Sequence, residues 1–412
     1  MTRSLRVLFL EPSALVSGGG IALLRLINTL DRREIRPLVV LGSDGPLVEH
    51  FRRIPGCRVL RRPFPPSLSR VTRSSVITGG LVDGASAVAY GLWLRRVADQ
   101  WGADIIHSNG LKMHLLSILA MRRRRRVLIW HIRDFISPPY MPRRTASLLR
   151  YLVRYFPDVT ICNSTSTLAS LGNPSKPVVV EGGVSADFGF TRLHTVPDGV
   201  VLGPKDASVG GDGIHSKKRV LMLGRIAEWK GQHVFVRAAR RLCENDPSTE
   251  FIIAGGPTTE ADAEYEKQLR ASVESLGLSG RILFAGVVQD VPSLLSAVDV
   301  VVHCSTSPEP FGQVIIEAMA ASVAVVASNQ GGPTEIIRDG VNGRLVPASD
   351  DVALARAMRE LLDDATSRRR LAIAGRRTVE ERFGIDQTVA RICQIYQEYS
   401  LCTNLQFGAY LA

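Results

Sequence analysis

Strand-like and helix-like stretches alternate along almost all of this 412-residue chain. That alternation predicts an α/β fold of doubly wound parallel sheets. Two further observations support it. The strand-like stretches are nearly all apolar, as strands covered on both faces must be. The pattern also fails once, between Gly189 and Ser216, where Pro197-Asp198-Gly199, Gly203-Pro204 and Gly210-Gly211-Asp212-Gly213 read as turns and linker. Two α/β domains of roughly 190 residues each would fill the length.

In order, the first half offers apolar strands at 5–10, 38–41, 104–107, 127–131 and 159–162. The second half offers them at 220–223, 251–254, 282–285, 300–303 and 323–327. A helix with Ile21, Leu24 and Leu26-Ile27 on its apolar face follows the first strand, and another runs from about Gln232 to Leu242. A last helical pattern covers 386–399. The expected domains are therefore 1–189, a linker at 190–216, a second domain at 217–385, and a final helix with its tail at 386–412.

Composition is that of an ordinary globular enzyme, 45% hydrophobic and 22% charged. No apolar run reaches 18 residues, so no spanning helix is expected. Arg3 and Arg6 precede Val7-Leu8-Phe9-Leu10, but Glu11 and Pro12 cut that run too short for a signal peptide. Cys57, Cys162, Cys243, Cys304, Cys393 and Cys402 are scattered without C-x-x-C or metal-ligand spacing, which fits a reduced, cytoplasmic setting. Cys304 reads as a packed thiol.

The net charge of +12 is uneven. Residues 1–190 carry 27 Lys and Arg against 12 Asp and Glu, a balance of +15; the remainder carries 24 against 27, or −3. A basic first half is expected to meet something anionic. The unbroken run Arg122 to Arg126 fits either a helix end capped by cations beside a solvated loop or a contact with anionic lipid headgroups. No interleaved aromatics or nucleic-acid motif accompanies it, so no nucleic-acid partner is expected.

The stretch from Ser305 to Ala320 carries the most chemistry. Glu309-Pro310-Phe311-Gly312 is followed by Glu317, with apolar runs on both sides. The two acids thus sit where a strand's carboxyl end meets a helix, the usual ligand position in open α/β sheets. At 100° per residue, eight helical positions bring the chain back within about 80° of its starting direction, so both acids can face one crevice. Helix-start N–H groups there can hold an anion. Upstream, the strand 220–223 ends in Gly224, and Arg225 and Lys230 follow. Arg225 can fork onto two phosphate oxygens and Lys230 can act as a point charge.

Together these elements resemble retaining, nucleotide-sugar-dependent glycosyltransferases of the GT-B fold, family 4 (glycosyl transferases group 1). Gly331-Gly332-Pro333-Thr334-Glu335 and Asp339-Gly340-Val341-Asn342-Gly343 match as well. The resemblance implies two Rossmann-like domains facing across a cleft, with the final helix crossing back onto the first. It places Glu309 beside the donor sugar, Glu317 on the ribose hydroxyls, and the Phe311 and Gly312 N–H groups on the diphosphate. Arg225 and Lys230 would stabilise the departing nucleotide.

On the N-terminal side, Ser17-Gly18-Gly19-Gly20 lies between a strand and a helix. By itself it reads equally as a plain tight turn or as a loop whose glycines, with φ > 0, let a ligand approach the backbone. The resemblance makes Gly19 and Gly20 part of the donor diphosphate site. Trp130-His131-Ile132-Arg133-Asp134 ends a strand. A histidine there is often packing; the resemblance places His131 near the reaction centre, with Arg133 and Asp134 on the acceptor side. His107 is a further acceptor-side candidate, and Asn163-Ser164 follows another strand. Where many members carry Asn-Gly-Val-Asp, this chain has Glu181-Gly182-Gly183-Val184.

What the resemblance implies is transfer of a hexose from a nucleoside-diphosphate sugar to an acceptor hydroxyl, with retention and no metal or other cofactor. The acceptor class extends to lipid-linked glycan, capsule, exopolysaccharide and small glycosides; the basic first half favours a lipid-linked or membrane-surface acceptor, with peripheral contact on the cytoplasmic membrane face. A GT-B epimerase or phosphorylase, or a non-catalytic sugar-nucleotide-binding subunit, would use many of the same residues.

Overall fold

The computed structural model describes residues 3–70, 84–121, 126–138, 140–185, 188, 217–244, 246 and 248–408. The expected linker at 190–216 and the arginines at 122–125 lie outside the described residues. The chain divides into two compact units, one of Met1–Gly183 with Ile385–Ala412, the other of Val184–Gly384.

The first unit is built on a seven-stranded sheet. Its strands are β1 (Leu5–Glu11), β2 (Ile35–Leu41), β3 (Arg58–Arg61), β4 (Ile105–Asn109), β5 (Val127–Ile132), β6 (Val159–Cys162) and β7 (Pro177–Val179), in the order β3-β2-β1-β4-β5-β6-β7. Every pairing is parallel. Alternate residues of β1 supply the two cores: Val7 and Phe9 enter one, Leu8 and Leu10 the other. That is the period-2 consequence of a sheet covered on both faces. The helix Ile385–Gly408 closes one face, placing Ile392, Ile395 and Tyr396 against Phe9, Ile105 and Ile129.

The second unit repeats the plan with six parallel strands: β8 (Arg219–Leu223), β9 (Glu250–Ala254), β10 (Ile282–Gly286), β11 (Val300–His303), β12 (Ala324–Ser328) and β13 (Arg344–Val346). Their order is β10-β9-β8-β11-β12-β13. Val220, Met222, Val300 and Val302 feed one core, while Leu221, Val301 and Val325 feed the other. Val184 forms a parallel bridge with Gly384, so the few residues just after Gly183 belong to this unit.

In both sheets the chain order reverses once, between β1 and β4 and between β8 and β11. The helices that follow the two strands diverge there and leave a crevice at the strands' carboxyl ends. The candidate residues collect at these two points. Among the described residues no helix is long and apolar enough to cross a membrane.

Candidate active site

At the β8/β11 reversal, backbone geometry brings two loops together. Gly231 adopts φ 83, and a Cβ there would overlap the Cys304 carbonyl oxygen. Glycine therefore lets the turn after β8 lie directly on the loop after β11. The Thr306 N–H donates to the Trp229 carbonyl at 2.8 Å, tying the same two loops. Cys304 is packed beneath them, its Sγ 3.2 Å from the Gly231 oxygen, and burial pushes its thiol up to about 12.

Glu309 does not lie on a helix. It forms an extended bridge with Gly331, and the helix begins only at Gln313. The expected helical phase between Glu309 and Glu317 therefore does not describe how they are related. The floor beneath Glu309 explains its position. Gly331 (φ 69) and Gly332 run so close under the 309–311 backbone that a Cβ on either would overlap the carbonyl of Glu309 or Phe311. The Gly332 N–H donates to the Glu309 carbonyl at 2.8 Å. Gly312, at φ 113, then turns the chain into the helix Gln313–Ala320. The Phe311 ring is buried, 6.0 Å from that of Phe383, so only its backbone is placed for a ligand. Glu317 is buried one turn into the helix.

The Glu309 carboxylate is the hub. Its Oε2 takes hydrogen bonds from Lys230 Nζ at 2.7 Å and Ser305 Oγ at 3.1 Å, and His303 Nε2 lies 3.4 Å away. Burial would raise its pKa, but Lys230 and His303 overcome that and hold it well below the ordinary carboxylate range. Such a group is ionised at any working pH: it accepts hydrogen bonds and stabilises positive charge, and it is not a general acid. Lys230 Nζ also sits 4.3 Å from the centre of the Trp229 ring, with the Arg225 guanidinium 5.8 Å from the same ring. Arg225 is 38% exposed, and its Nη1 donates to Thr258 Oγ1 at 3.1 Å. Both cations thus lie close to one indole. Trp229, His303 and Ser305 were not among the residues singled out from sequence. Both His303 and Ser305 sit at the end of the apolar run 300–303, where a polar residue just past a buried strand is the available signal.

At the β1/β4 reversal the structure collects Glu11, Asn109, His131 and Arg133. Arg133 Nε donates to Asn109 Oδ1 at 3.2 Å, and its Nη2 lies 3.3 Å from His131 Nδ1. Burial raises Glu11 to about 7, with Arg133 pulling the other way. Burial also lowers Arg133 to about 10 against the pull of Glu11 and Asp134. Asp134 accepts from Tyr140 Oη at 3.0 Å. Asn109 Nδ2 and His131 Nε2 are buried without a hydrogen-bond partner among the described residues. Glu11 and Asn109, each the last residue of its strand, were missed by the sequence reading.

Three expectations are corrected here. Gly18, Gly19 and Gly20 form the first turn of the helix Gly18–Thr29, capped by Ser17 Oγ at 3.2 Å from the Gly20 N–H, and none has positive φ. Small size matters only at Gly20, where a Cβ would overlap Leu47 Cδ1; a Cβ on Gly19 would make an ordinary contact with Arg133 Cδ at 3.5 Å. His107 is fully enclosed, with Tyr396 Oη 2.6 Å from Nδ1 and His131 Nδ1 3.1 Å from Nε2, so it reaches a ligand only through its neighbours. Arg126 is no solvated cation. Its side chain is buried, donating to the Ala103 carbonyl at 3.1 Å and paired with Asp99. Ser164 caps the helix Thr165–Leu171, donated to by the Thr167 N–H at 3.0 Å.

The family described as Glycosyl transferases group 1 matches residues 211–378. The one described as Glycosyltransferase Family 4 matches residues 16–188. The lipopolysaccharide core biosynthesis mannosyltransferase LpcC of Rhizobium leguminosarum bv. viciae is 31% identical over 258 residues, 62% of this chain and 68% of LpcC. The lipopolysaccharide core biosynthesis glycosyltransferase LpsE of Rhizobium meliloti is 37% identical over 164 residues, 40% of this chain and 45% of LpsE. The chain spans about half the length of the first curated relatives it matches. Among solved structures, HepE of Anabaena in complex with UDP superposes with a TM-score of 0.75 at 25% identity, covering 96% of this chain and 100% of HepE. The chain belongs to the glycosyl transferases group 1 family and has the GT-B fold.

Proposed function

We propose that the protein is a retaining glycosyltransferase that moves a hexose from a nucleoside-diphosphate sugar to an acceptor hydroxyl in lipopolysaccharide or polysaccharide synthesis. The observation that carries this reading is the Lys230–Glu309 pair at 2.7 Å, with Arg225 and Lys230 both close to the Trp229 ring. UDP bound to HepE and the lipopolysaccharide roles of LpcC and LpsE support the donor and acceptor classes.

In this mechanism the diphosphate lies between Arg225, Lys230 and the first N–H groups of the helix Gln313–Ala320. As the bond from the anomeric carbon to the phosphate oxygen breaks, negative charge grows on the diphosphate, and these groups are already in place to hold it. Two fixed cations at the leaving group are the reason no metal is invoked. The departing phosphate takes the acceptor proton on the same face of the sugar, and configuration is retained. Glu309, kept ionised by Lys230 and His303, accepts from sugar hydroxyls and steadies positive charge at the anomeric carbon. Glu317 serves the ribose.

A membrane-presented acceptor fits one surface of the first unit. On the helix Arg143–Tyr155, Leu148, Tyr151 and Tyr155 are 40%, 61% and 54% exposed, beside exposed Arg143, Arg144 and Arg154. Apolar and aromatic side chains ringed by arginines suit an anionic lipid surface.

The test is incubation with UDP- and GDP-hexoses and a lipid-linked or core-oligosaccharide acceptor, with the anomeric configuration of the product read by NMR. Transfer with retention is expected. An isomerised donor, a sugar phosphate or an inverted product would overturn the reading.

A further inference from the structure

One arrangement of protons satisfies every contact of the row Tyr396–His107–His131, with Arg133 and His107 sharing the His131 Nδ1 lone pair. Arg133 Nη2, 3.3 Å from His131 Nδ1, can only donate, because a guanidinium has no acceptor. His131 Nδ1 is therefore bare. Burial, with Arg133 nearby, holds His131 well below its ordinary pKa, so the ring is neutral and its one N–H proton sits on Nε2. His107 Nε2, 3.1 Å from the bare Nδ1, must then be the donor of that pair. His107 is pushed down to about 3, mainly by burial, and is neutral too. Its Nδ1 is bare and accepts from the Tyr396 hydroxyl at 2.6 Å. The row ends in His131 Nε2–H, buried and without a partner among the described residues.

Buried polar groups in native proteins are seldom left without a partner, and those that are tend to mark a function. We propose that Tyr396 and His107 are positioning residues, which hold His131 in the Nε2–H tautomer so that this N–H is offered to a substrate oxygen at the crevice of the β1/β4 reversal. The final helix then contributes more than a cover for the core. Its tyrosine sets which end of a distant imidazole carries the proton. The substrate side of this proposal rests on the sugar-nucleotide function above, but the tautomer itself does not.

The experiment uses the full chain labelled with ¹⁵N-histidine, read by long-range ¹H–¹⁵N correlation, together with donor kinetics. The wild type should show His131 protonated at Nε2 and bare at Nδ1. Tyr396→Phe removes only a hydroxyl; it should shift His131 toward a mixture of tautomers and lower kcat/KM for the donor about fivefold to tenfold, one hydrogen bond's worth. His107→Gln can still accept from Tyr396 and donate to His131. It should keep the Nε2–H signal and stay within about twofold of wild type, whereas His107→Leu should lose both. If Tyr396→Phe does not fold, the wild-type spectrum and the Gln/Leu contrast decide. A wild-type proton on Nδ1, or Tyr396→Phe with unchanged kinetics, overturns the proposal. A clear Nε2–H with no turnover of any donor would sink the assigned function and leave the tautomer row standing.

Discussion

Lys230 Nζ and Glu309 Oε2 stand 2.7 Å apart although 79 residues separate them in sequence. The pair joins the loop after β8 to the loop after β11, at the one place in the second sheet where strand order reverses. Lys230 is 19% exposed and Glu309 14%, so neither charge is well solvated by water. Removing one partner of such a pair leaves the other uncompensated, at a cost of about 3–5 kcal/mol. His303 and Ser305 still hold Glu309 in Lys230→Ala, which places the expected loss near the lower end, about 3 kcal/mol. Chemical denaturation measures that, and steady-state assays should show donor turnover down more than tenfold. A smaller loss of turnover would remove Lys230 from the leaving-group site.

The glycine floor makes a sharper structural prediction. In Gly331→Ala the new methyl overlaps the Glu309 carbonyl oxygen at a backbone φ of 69. Gly277 has the same φ of 69, but no atom of the described residues lies within 4 Å of its Cβ position. Gly277→Ala should therefore cost only the left-handed backbone penalty, about 1–2 kcal/mol, and leave kcat intact. Gly331→Ala should cost more and abolish turnover by displacing Glu309. Equal effects in the two variants, read by thermal unfolding and assay, would contradict this account of how Glu309 is held.

Much of this framework was legible in the sequence, for a physical reason. Strands such as Val300–His303 and Val7–Leu10 are buried on both faces, so they appear as unbroken apolar runs. The edge strands β3, β7 and β13 escaped because they are short and partly exposed; Arg58–Arg61 carries an arginine at each end and only Val59 turned inward. At the site, Glu309, Lys230 and Arg225 were visible as charged residues beyond strand ends. The geometry that places Glu309 was not, because it lies in a bridge to Gly331 that only tertiary contact creates. Glu11 was hidden the same way, read as the end of an apolar run rather than as a buried carboxyl beside Arg133.

That carboxyl predicts a pH dependence of stability. Glu11 has an ordinary value of 4.5 and a folded value of about 7, so between those pH values the native state binds the proton more tightly than the unfolded chain. Its contribution to stability is thus present below about pH 4.5 and lost as pH rises to about 7, on the order of 3 kcal/mol. Unfolding measured from pH 5 to 8 should show this decline in wild type and a flatter profile in Glu11→Gln. Identical slopes would mean that Glu11 is ionised throughout.

The exposed face of the helix Arg143–Tyr155 yields a binding prediction. Vesicles containing anionic lipid should retain the wild-type protein, and binding should weaken with salt. The double change Tyr151→Glu and Tyr155→Glu should lower it by at least about tenfold while solution-phase turnover of a soluble acceptor stays intact. Retention by neutral vesicles alone, or no effect of the double change, would remove this face from membrane contact.

Isothermal titration calorimetry with UDP- and GDP-hexoses, run on wild type, Arg225→Ala and Lys230→Ala, bears most directly on the claim that the second unit grips a sugar nucleotide by its diphosphate. The expected result is saturable binding of at least one donor by wild type, weakened about tenfold or more in each variant through loss of a charge-assisted contact. No heat with any donor, or equal affinity in all three proteins, would contradict it.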